Sequence, residues 1–477
     1  MIQRRLPLLA RTTLLALALT AACGESKSPS TAAGADVSAT ADASAGLAAD
    51  AETGDAATGA EKPLFVTNPE RTPLGVHATW QRDPATSLTL TWTTQAKDMT
   101  AYQPRVWFAP VSAAGADGAN LPFDAANFAA GSGMQYDTLI ADAAGSTIAV
   151  TWNVELTGLQ PDTEYVYRVG TYEAVDLATK SFTAPDWSPA YTMRTAPQKG
   201  SRKPYTFVMA GDSRGGSDKM RANMKRAAPL VGYEDINALA WFFNGDFTPF
   251  GHQFEWNDWF DAMQPVLTKR VLMPVQGNHE VIADVYYGQF ELPRIAALPE
   301  ELKEHVWSLD IGNVHFVGLD SNTTDNVSHP DVLAWLKADL EAADKDPDID
   351  WTIVMMHHPA YSACTNHGST DRVQQFWVPL FEAHGVDLVF AGHDHDYERT
   401  KPIRGSQVVS QGEGPVYVVA GAFYAPAYTN GNDWWTETSA HGNKANYVIM
   451  DVDGKKLKLK ALSGDGAEVL DEFTFTR

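Results

Sequence analysis

Apolar and polar positions follow two different rhythms along this chain. Residues 88–92 and 164–169 alternate at the two-residue period of a half-buried strand, and Gln160-Pro161-Asp162 supplies a turn ahead of the second. After residue 204 the rhythm changes. Short unbroken apolar runs, rich in Val, Ile and Phe, cover 205–210, 238–243, 271–275, 353–356 and 386–391, the length and composition of buried strands. Between two of them, residues 331–343 carry Val332, Leu333, Trp335, Leu336 and Leu340 mostly on one face of a helix. Strands alternating with helices predict an α/β region. The tail reads as strands again at 416–419, 446–452, 456–462 and 472–476, with a turn at Asp453-Gly454. The chain therefore divides into an all-β sandwich over 65–197 and an α/β domain over 203–477, joined by the stretch 197–204.

The amino terminus belongs to neither. Arg4, Arg5 and Arg11 precede an apolar stretch at 14–22, which reads as an export signal too short for a span. It ends at Thr20-Ala21-Ala22-Cys23-Gly24, which is similar to a bacterial lipoprotein cleavage box, with Thr20 where Leu is usual. The expectation is a signal peptide over 1–23, lipidation at Cys23, and an exported protein, periplasmic or at the cell surface, held by lipid on the outer membrane. Residues 24–64 are mostly Ala, Ser, Thr, Gly and Asp; they cannot bury enough surface to offset chain entropy and read as a tether. A formal net charge of -23 argues against a nucleic-acid-binding face. Of the two cysteines, lipidation of Cys23 would leave Cys364 without a disulfide partner, and it reads as a small, partly buried side chain.

Chemistry enters where the apolar runs stop. They end on Gly211-Asp212, Asn244-Gly245-Asp246, Gly277-Asn278-His279-Glu280, His357-His358 and Gly392-His393-Asp394-His395. In an open α/β sheet, ligands bind beyond the carboxyl ends of the strands. Six oxygen and imidazole donors would thus gather along one sheet edge, a set suited to a pair of metal ions. Any one of these short motifs occurs by chance as a turn or a cap; the ordered set does not.

The order Gly-Asp, Gly-Asp, Gly-Asn-His-Glu, Val-x-x-His, Gly-His-x-His resembles the calcineurin-like metallophosphoesterases. Residues 351–357, the run Gly392-His393-Asp394-His395-Asp396-Tyr397-Glu398-Arg399 and Gly312-Asn313-Val314-His315-Phe316 narrow the resemblance to purple acid phosphatases and their bacterial relatives. Upstream, 84–94 and 156–170 resemble the fibronectin-III-like domain that precedes the catalytic domain in that family. The resemblance implies a four-layer α+β metallophosphoesterase sandwich with two central sheets, behind the all-β domain. It implies two divalent or trivalent ions (Fe, Mn or Zn), one taking Asp212 and His395, the other Asn278, His357 and His393, with Asp246 shared. Two divalent ions bring roughly +4, and two carboxylates and a hydroxide remove about 3, leaving a small positive field for phosphate. The implied activity is hydrolysis of phosphomonoesters by a hydroxide that the two metals hold. His279 would lie near the phosphate. His367 would protonate the leaving alkoxide. Arg214 and His358 would contact the substrate. Glu280 and Asp396 would orient histidines, and Arg399 would form a structural ion pair.

The chain departs from the resembled pattern at one place. A tyrosine ligand three residues after the bridging aspartate is replaced by Pro249, and the alternative histidine two residues after the first aspartate is Arg214. The first metal loses its extra ligand by either route, so the site is expected to be colourless. The sequence leaves two other readings open. One is a phosphodiesterase acting on nucleotide or cyclic nucleotide esters; the other is a catalytically idle lipoprotein that binds a surface partner. Oligomeric state has no sequence signal here.

Overall fold

The structure is a computed structural model, and it describes residues 71–96, 99–121, 128–137, 148–172, 174–176, 181–183, 186–214, 236–281, 285–440 and 444–477. The signal peptide, the tether and Cys23 lie outside the described residues.

The first domain is built of antiparallel strands. Leu74–Thr79, Ser87–Thr94, Ile148–Thr157 and Ser132–Asp137 form one sheet, in that spatial order. A second sheet is centred on Gln103–Pro110 and Glu164–Tyr172. Trp92 is buried, and its indole N–H donates to Thr171 Oγ1 at 2.9 Å. Tyr165 is buried, and its hydroxyl accepts the Gln160 amide at 2.8 Å, tying a strand to the turn five residues upstream as in fibronectin-like modules.

Among the described residues thirteen strands build the two large sheets of the second domain: β1 Tyr205–Ala210, β2 Ala240–Phe243, β3 Val271–Pro274, β4 Val306–Ile311, β5 Val314–Leu319, β6 Trp351–Met356, β7 Leu388–Ala391, β8 Tyr397–Thr400, β9 Val416–Ala420, β10 Thr436–Ser439, β11 Asn446–Asp453, β12 Lys456–Ser463 and β13 Val469–Thr476. They form two sheets, β3-β2-β1-β11-β12-β13 and β4-β5-β6-β7-β9-β8-β10. The strands that end on candidate ligands run parallel within each sheet: β1, β2 and β3 in one, β6 and β7 in the other. Their carboxyl ends therefore open on one edge.

The sheets stack through aromatic rings. Phe242 of one lies flat on Phe316 of the other, centroids 4.3 Å apart, with Phe207 edge-on at 4.9 Å from Phe316. The Trp307 indole crosses the interface to the Pro274 carbonyl at 2.9 Å. Helix α1 (Gln253–Leu267) covers the outside of the first sheet with Trp256, Trp259 and Phe260, and helix α2 (Pro330–Asp344) covers the second with Val332, Leu336 and Leu340. The result is helix, sheet, sheet, helix, with each apolar stripe buried once. Leu333 and Trp335, read from sequence on the apolar face of α2, lie at its partly buried margin. Phe260 also stacks on His77 of the first domain at 4.4 Å, so α1 is shared between the two domains' cores. Among the described residues no helix is long and apolar enough to cross a membrane.

Candidate metal centre

Each candidate ligand sits just past a strand end, and three of the six, with Arg214 beside them, take a backbone conformation that few side chains adopt. Asp212 (φ 60°), Arg214 (φ 41°), Asp246 (φ 56°) and His393 (φ 70°) all occupy the left-handed region. Strain of this kind persists where surrounding contacts over-determine it. Two glycines allow the approach. A Cβ on Gly277 would lie 2.2 Å from the Asp246 amide nitrogen, and one on Gly392 would lie 2.2 Å from Asp212 Oδ2.

The six expected ligands come together. Ligand atoms of Asp212, Asp246 and His395, all buried, lie within 4.8 Å of one another. Asn278 Oδ1 lies 2.8 Å from His357 Nε2 and 3.0 Å from His393 Nδ1. Asp246 lies between the two groups, with Oδ1 3.3 Å from His357 Nε2. The carboxylate of Asp212 accepts the His393 amide at 3.0 Å.

Proton positions follow from carbonyl groups, which only accept. His357 Nδ1 faces the Asn244 carbonyl at 2.8 Å, His395 Nδ1 faces that of Pro426 at 2.6 Å, and His279 Nδ1 faces that of Pro249 at 2.5 Å. Each Nδ1 must carry the proton, so in the neutral ring each Nε2 is a lone pair. Those lone pairs point at oxygens that are also acceptors. His357 Nε2 meets Asn278 Oδ1, and His395 Nε2 lies 3.5 Å from Asp212 Oδ1. His395 Nε2 and Asp246 Oδ2 are buried with no hydrogen-bond partner among the described residues. Acceptor against acceptor in a buried site is costly, and a cation between them, a metal ion or a proton, relieves it. The donor set therefore fits metal ions.

Titration points the same way. Burial, then the neighbouring Asp246, pushes the Asp212 carboxyl well above its ordinary range. Burial also raises Asp246, but His357, His279 and Arg214 together hold it below. Burial lowers His357, and it lowers His395 to about 3, with Arg214 adding to the second. Burial and the neighbouring imidazoles push His393 and His358 well down. Neutral imidazoles are the form that metals bind.

The remaining candidates surround this cluster. Arg214 Nη2 lies 3.6 Å from Asp246 Oδ2. His279 Nε2 lies 3.7 Å from the same oxygen, and the His279 amide donates to Asp246 Oδ1 at 3.1 Å. His358 is buried; its amide and Nδ1 both meet Ser321 Oγ, at 2.8 and 3.0 Å, and its ring packs 4.3 Å from His393. His367 is exposed, its ring centroid 4.2 Å from that of His393. Pro249, at the absent tyrosine's position, instead supplies the carbonyl that fixes His279.

Two expectations need correction. Glu280 does not orient a histidine: it accepts the amides of Asp246 at 2.8 Å, Gly277 at 2.9 Å and Thr248 at 3.3 Å, clamping two ligand loops together. Burial and Asp246 raise it to about 8. Asp396 does not reach a histidine either; with Asp394 it lies beside the buried, free thiol of Cys364. Arg399 pairs with Asp471, Nε to Oδ2 2.5 Å and Nη2 to Oδ1 3.1 Å, as a buried structural pair.

Sequence reasoning missed Tyr428. Its ring lies flat on His395, centroids 4.0 Å apart at 11°, and its hydroxyl feels the charge of Arg214. The signal was available, because Tyr428 follows β9, a sixth apolar run that ends on glycine, Gly421.

Comparison with known proteins agrees with this geometry. The purple acid phosphatase N-terminal domain matches residues 73–195, and the calcineurin-like phosphoesterase domain matches residues 198–397. An uncharacterized protein of Mycobacterium tuberculosis is 32% identical over 300 residues, 56% of this chain and 53% of that protein. Purple acid phosphatase 18 of Arabidopsis thaliana is 29% identical over 276 residues, 55% of each chain. The chain thus spans about half the length of these curated relatives. The structure of purple acid phosphatase PPD1 from yellow lupin (Lupinus luteus) seeds shares the fold, with a TM-score of 0.69 at 18% identity over 85% of this chain and 75% of that one. With both domains matched in order and its strand-end donors gathered at one edge, the chain joins a purple acid phosphatase N-terminal domain to a calcineurin-like phosphoesterase domain.

Proposed function

We propose that this protein is an exported, metal-dependent phosphoesterase that hydrolyses phosphomonoesters. The observation that carries the reading is the buried cluster of lone pairs facing lone pairs among Asp212, Asp246, Asn278, His357 and His395. Asp212, His395 and Asp246 would hold one ion, and Asn278, His357, His393 and the shared Asp246 a second. When bound, such ions supply Lewis acidity toward phosphate oxygens and acidify a water nucleophile.

The protein's own groups do the rest. The Arg214 guanidinium, next to Asp246, offers a fork to phosphate oxygens. His279, pinned through Nδ1 to Pro249, presents Nε2 on the Asp246 side, where as the imidazolium it stabilises charge on the phosphate. His367, exposed over His393, delivers a ring proton to the departing alkoxide. His358, tied to Ser321, supports His393 and lines the substrate side. The identity of the ions as Fe, Mn or Zn and the lipid anchor at Cys23 belong to the same proposal.

The test pairs metal analysis with turnover of a monoester and a diester on the full chain. Asn278→Ala and His357→Ala should lose bound metal and activity while keeping the fold; full activity in both removes the site. His367→Ala should slow esters of poorly acidic alcohols far more than nitrophenyl esters, and equal slowing refutes its acid role. Cys23→Ser should move the protein from the membrane to the soluble fraction. An absorption band from tyrosine bound to iron would overturn the colourless site.

A further inference from the structure

The loop that leaves Asp246 and the first turn of α1 after it carry apolar rings into solvent beside the site. Phe250 is 53% exposed and Phe254 43%. The imidazole of His252 lies between them, with centroids 5.9 Å from Phe250 and 5.7 Å from Phe254 and planes inclined by 30° and 28°. Val281, two residues after His279, is 49% exposed. Large apolar side chains held together in water contribute little to folding and mark contact surfaces.

The shelf is nevertheless built to hold still. The buried Glu255 carboxylate accepts the amides of both Phe250 and His252, each at 3.0 Å. Thr248 Oγ1 accepts the amide of Gly251 at 2.8 Å, and Gly251 takes a φ of 71° that suits glycine. The loop is also tied to the chemistry, because the Pro249 carbonyl receives the Nδ1 proton of His279, whose Nε2 lies 3.7 Å from Asp246 Oδ2. Phe250 begins one residue further on, a step of about 3.8 Å between α-carbons. A flat group joined to a phosphate by a short linker can reach it. Stacking accepts any base face, whereas the site's polar groups are turned toward phosphate.

Resting on the phosphoesterase reading above, we propose that Phe250, His252 and Phe254 form a stacking shelf for the base of a nucleoside phosphoester whose phosphate lies beside Arg214 and His279. The substrate class is then a nucleotide, recognised by its phosphate and by the aromatic face of its base.

Adenosine 5′-monophosphate and ribose 5-phosphate test this directly, since in both the leaving oxygen is the ribose 5-hydroxyl and the base of one is an anomeric hydroxyl in the other. The ratio of their kcat/KM values should favour the nucleotide by about tenfold, the order that one stacked base contributes. That ratio should fall toward one in Phe250→Ala and in Phe254→Ala. A ratio near one in the unaltered protein, or a ratio preserved in both variants, overturns the shelf. A second measurement separates the two proposals. Calorimetric binding of the 5′-phosphonate of adenosine is compared with that of ethylphosphonate, using the full chain supplied with manganese or zinc. Tighter binding of the nucleoside phosphonate that is lost in Phe250→Ala supports the shelf, even if no ester is turned over, a result that would sink the phosphoesterase reading alone. Equal affinity for both phosphonates overturns the shelf even in an active enzyme.

Discussion

Replacing Asp212 by Asn separates the demands of metal binding from those of folding. Asp212 and Asp246 are both buried, and their ligand atoms lie within 4.8 Å. Two like charges at that separation would repel by roughly 3 kcal/mol at an effective dielectric constant of 20, a cost that the raised Asp212 escapes only by taking up a proton. Arg214, 3.6 Å from Asp246 Oδ2, offsets part of this, and the buried charge also loses hydration. Asn keeps an oxygen for the His393 amide, which Asp212 accepts at 3.0 Å, so the loop geometry survives. Without metal, Asp212→Asn should therefore be more stable than the unaltered chain, by about 1–3 kcal/mol. With metal the order should reverse. An ion at a hundredfold its dissociation constant stabilises the native state by about 2.7 kcal/mol, and the variant lacks most of that gain. The assay is urea unfolding of the full chain in chelator and in excess manganese or zinc. A variant less stable than the unaltered protein in chelator, or one that gains as much from metal, refutes the reasoning.

Three further outcomes follow from other contacts. Burial acts to lower His315, but its hydrogen bonds to Asp310 and Asp339, at 2.7 and 2.9 Å, outweigh it and raise the ring to about 9. A raised folded value means that this stability is complete below about pH 6.5 and is lost as pH climbs through about 9, a difference on the order of 3 kcal/mol. Unfolding measured from pH 6 to 10 should show that loss in the unaltered chain and not in His315→Gln. Asp471→Ala strands the buried Arg399 guanidinium and the Tyr397 hydroxyl, which bonds to Asp471 at 2.8 Å; it should cost about 3–5 kcal/mol in urea unfolding, and a cost under about 1 would refute the pair's role. Gly277→Ala would place a Cβ 2.3 Å from Asp246 Oδ1, so Asp246 must shift; bound metal should fall below stoichiometric and turnover by about a hundredfold, and unchanged values would refute the close approach.

Much of the site was legible because strand-end donors follow a rule of position. A parallel strand with its apolar run buried on both faces ends at one sheet edge, so Asp212, Asp246, Asn278, His357 and His393 could be placed together from their order alone. Helix α2 was legible from its periodicity. Tyr428 was not found although it follows a sixth apolar run, because an aromatic after a strand carries no donor pattern of its own; it matters by lying on His395. Glu280 was misread for a related reason. A carboxylate next to a histidine in sequence suggests a histidine partner, but its real partners are amides of the β2 loop more than 30 residues away.

The sequence by itself determined which donors exist, the order in which they reach the edge, and the two-domain plan that carries them. Only the tertiary structure decided where the protons sit. The carbonyls of Asn244, Pro426 and Pro249 fix the tautomers of His357, His395 and His279, and so turn three Nε2 lone pairs inward. Every residue has a carbonyl, so no residue type announces which of them will do this. That assignment exists only once β2, β6 and the loops after β7 and β9 have closed around the same buried space.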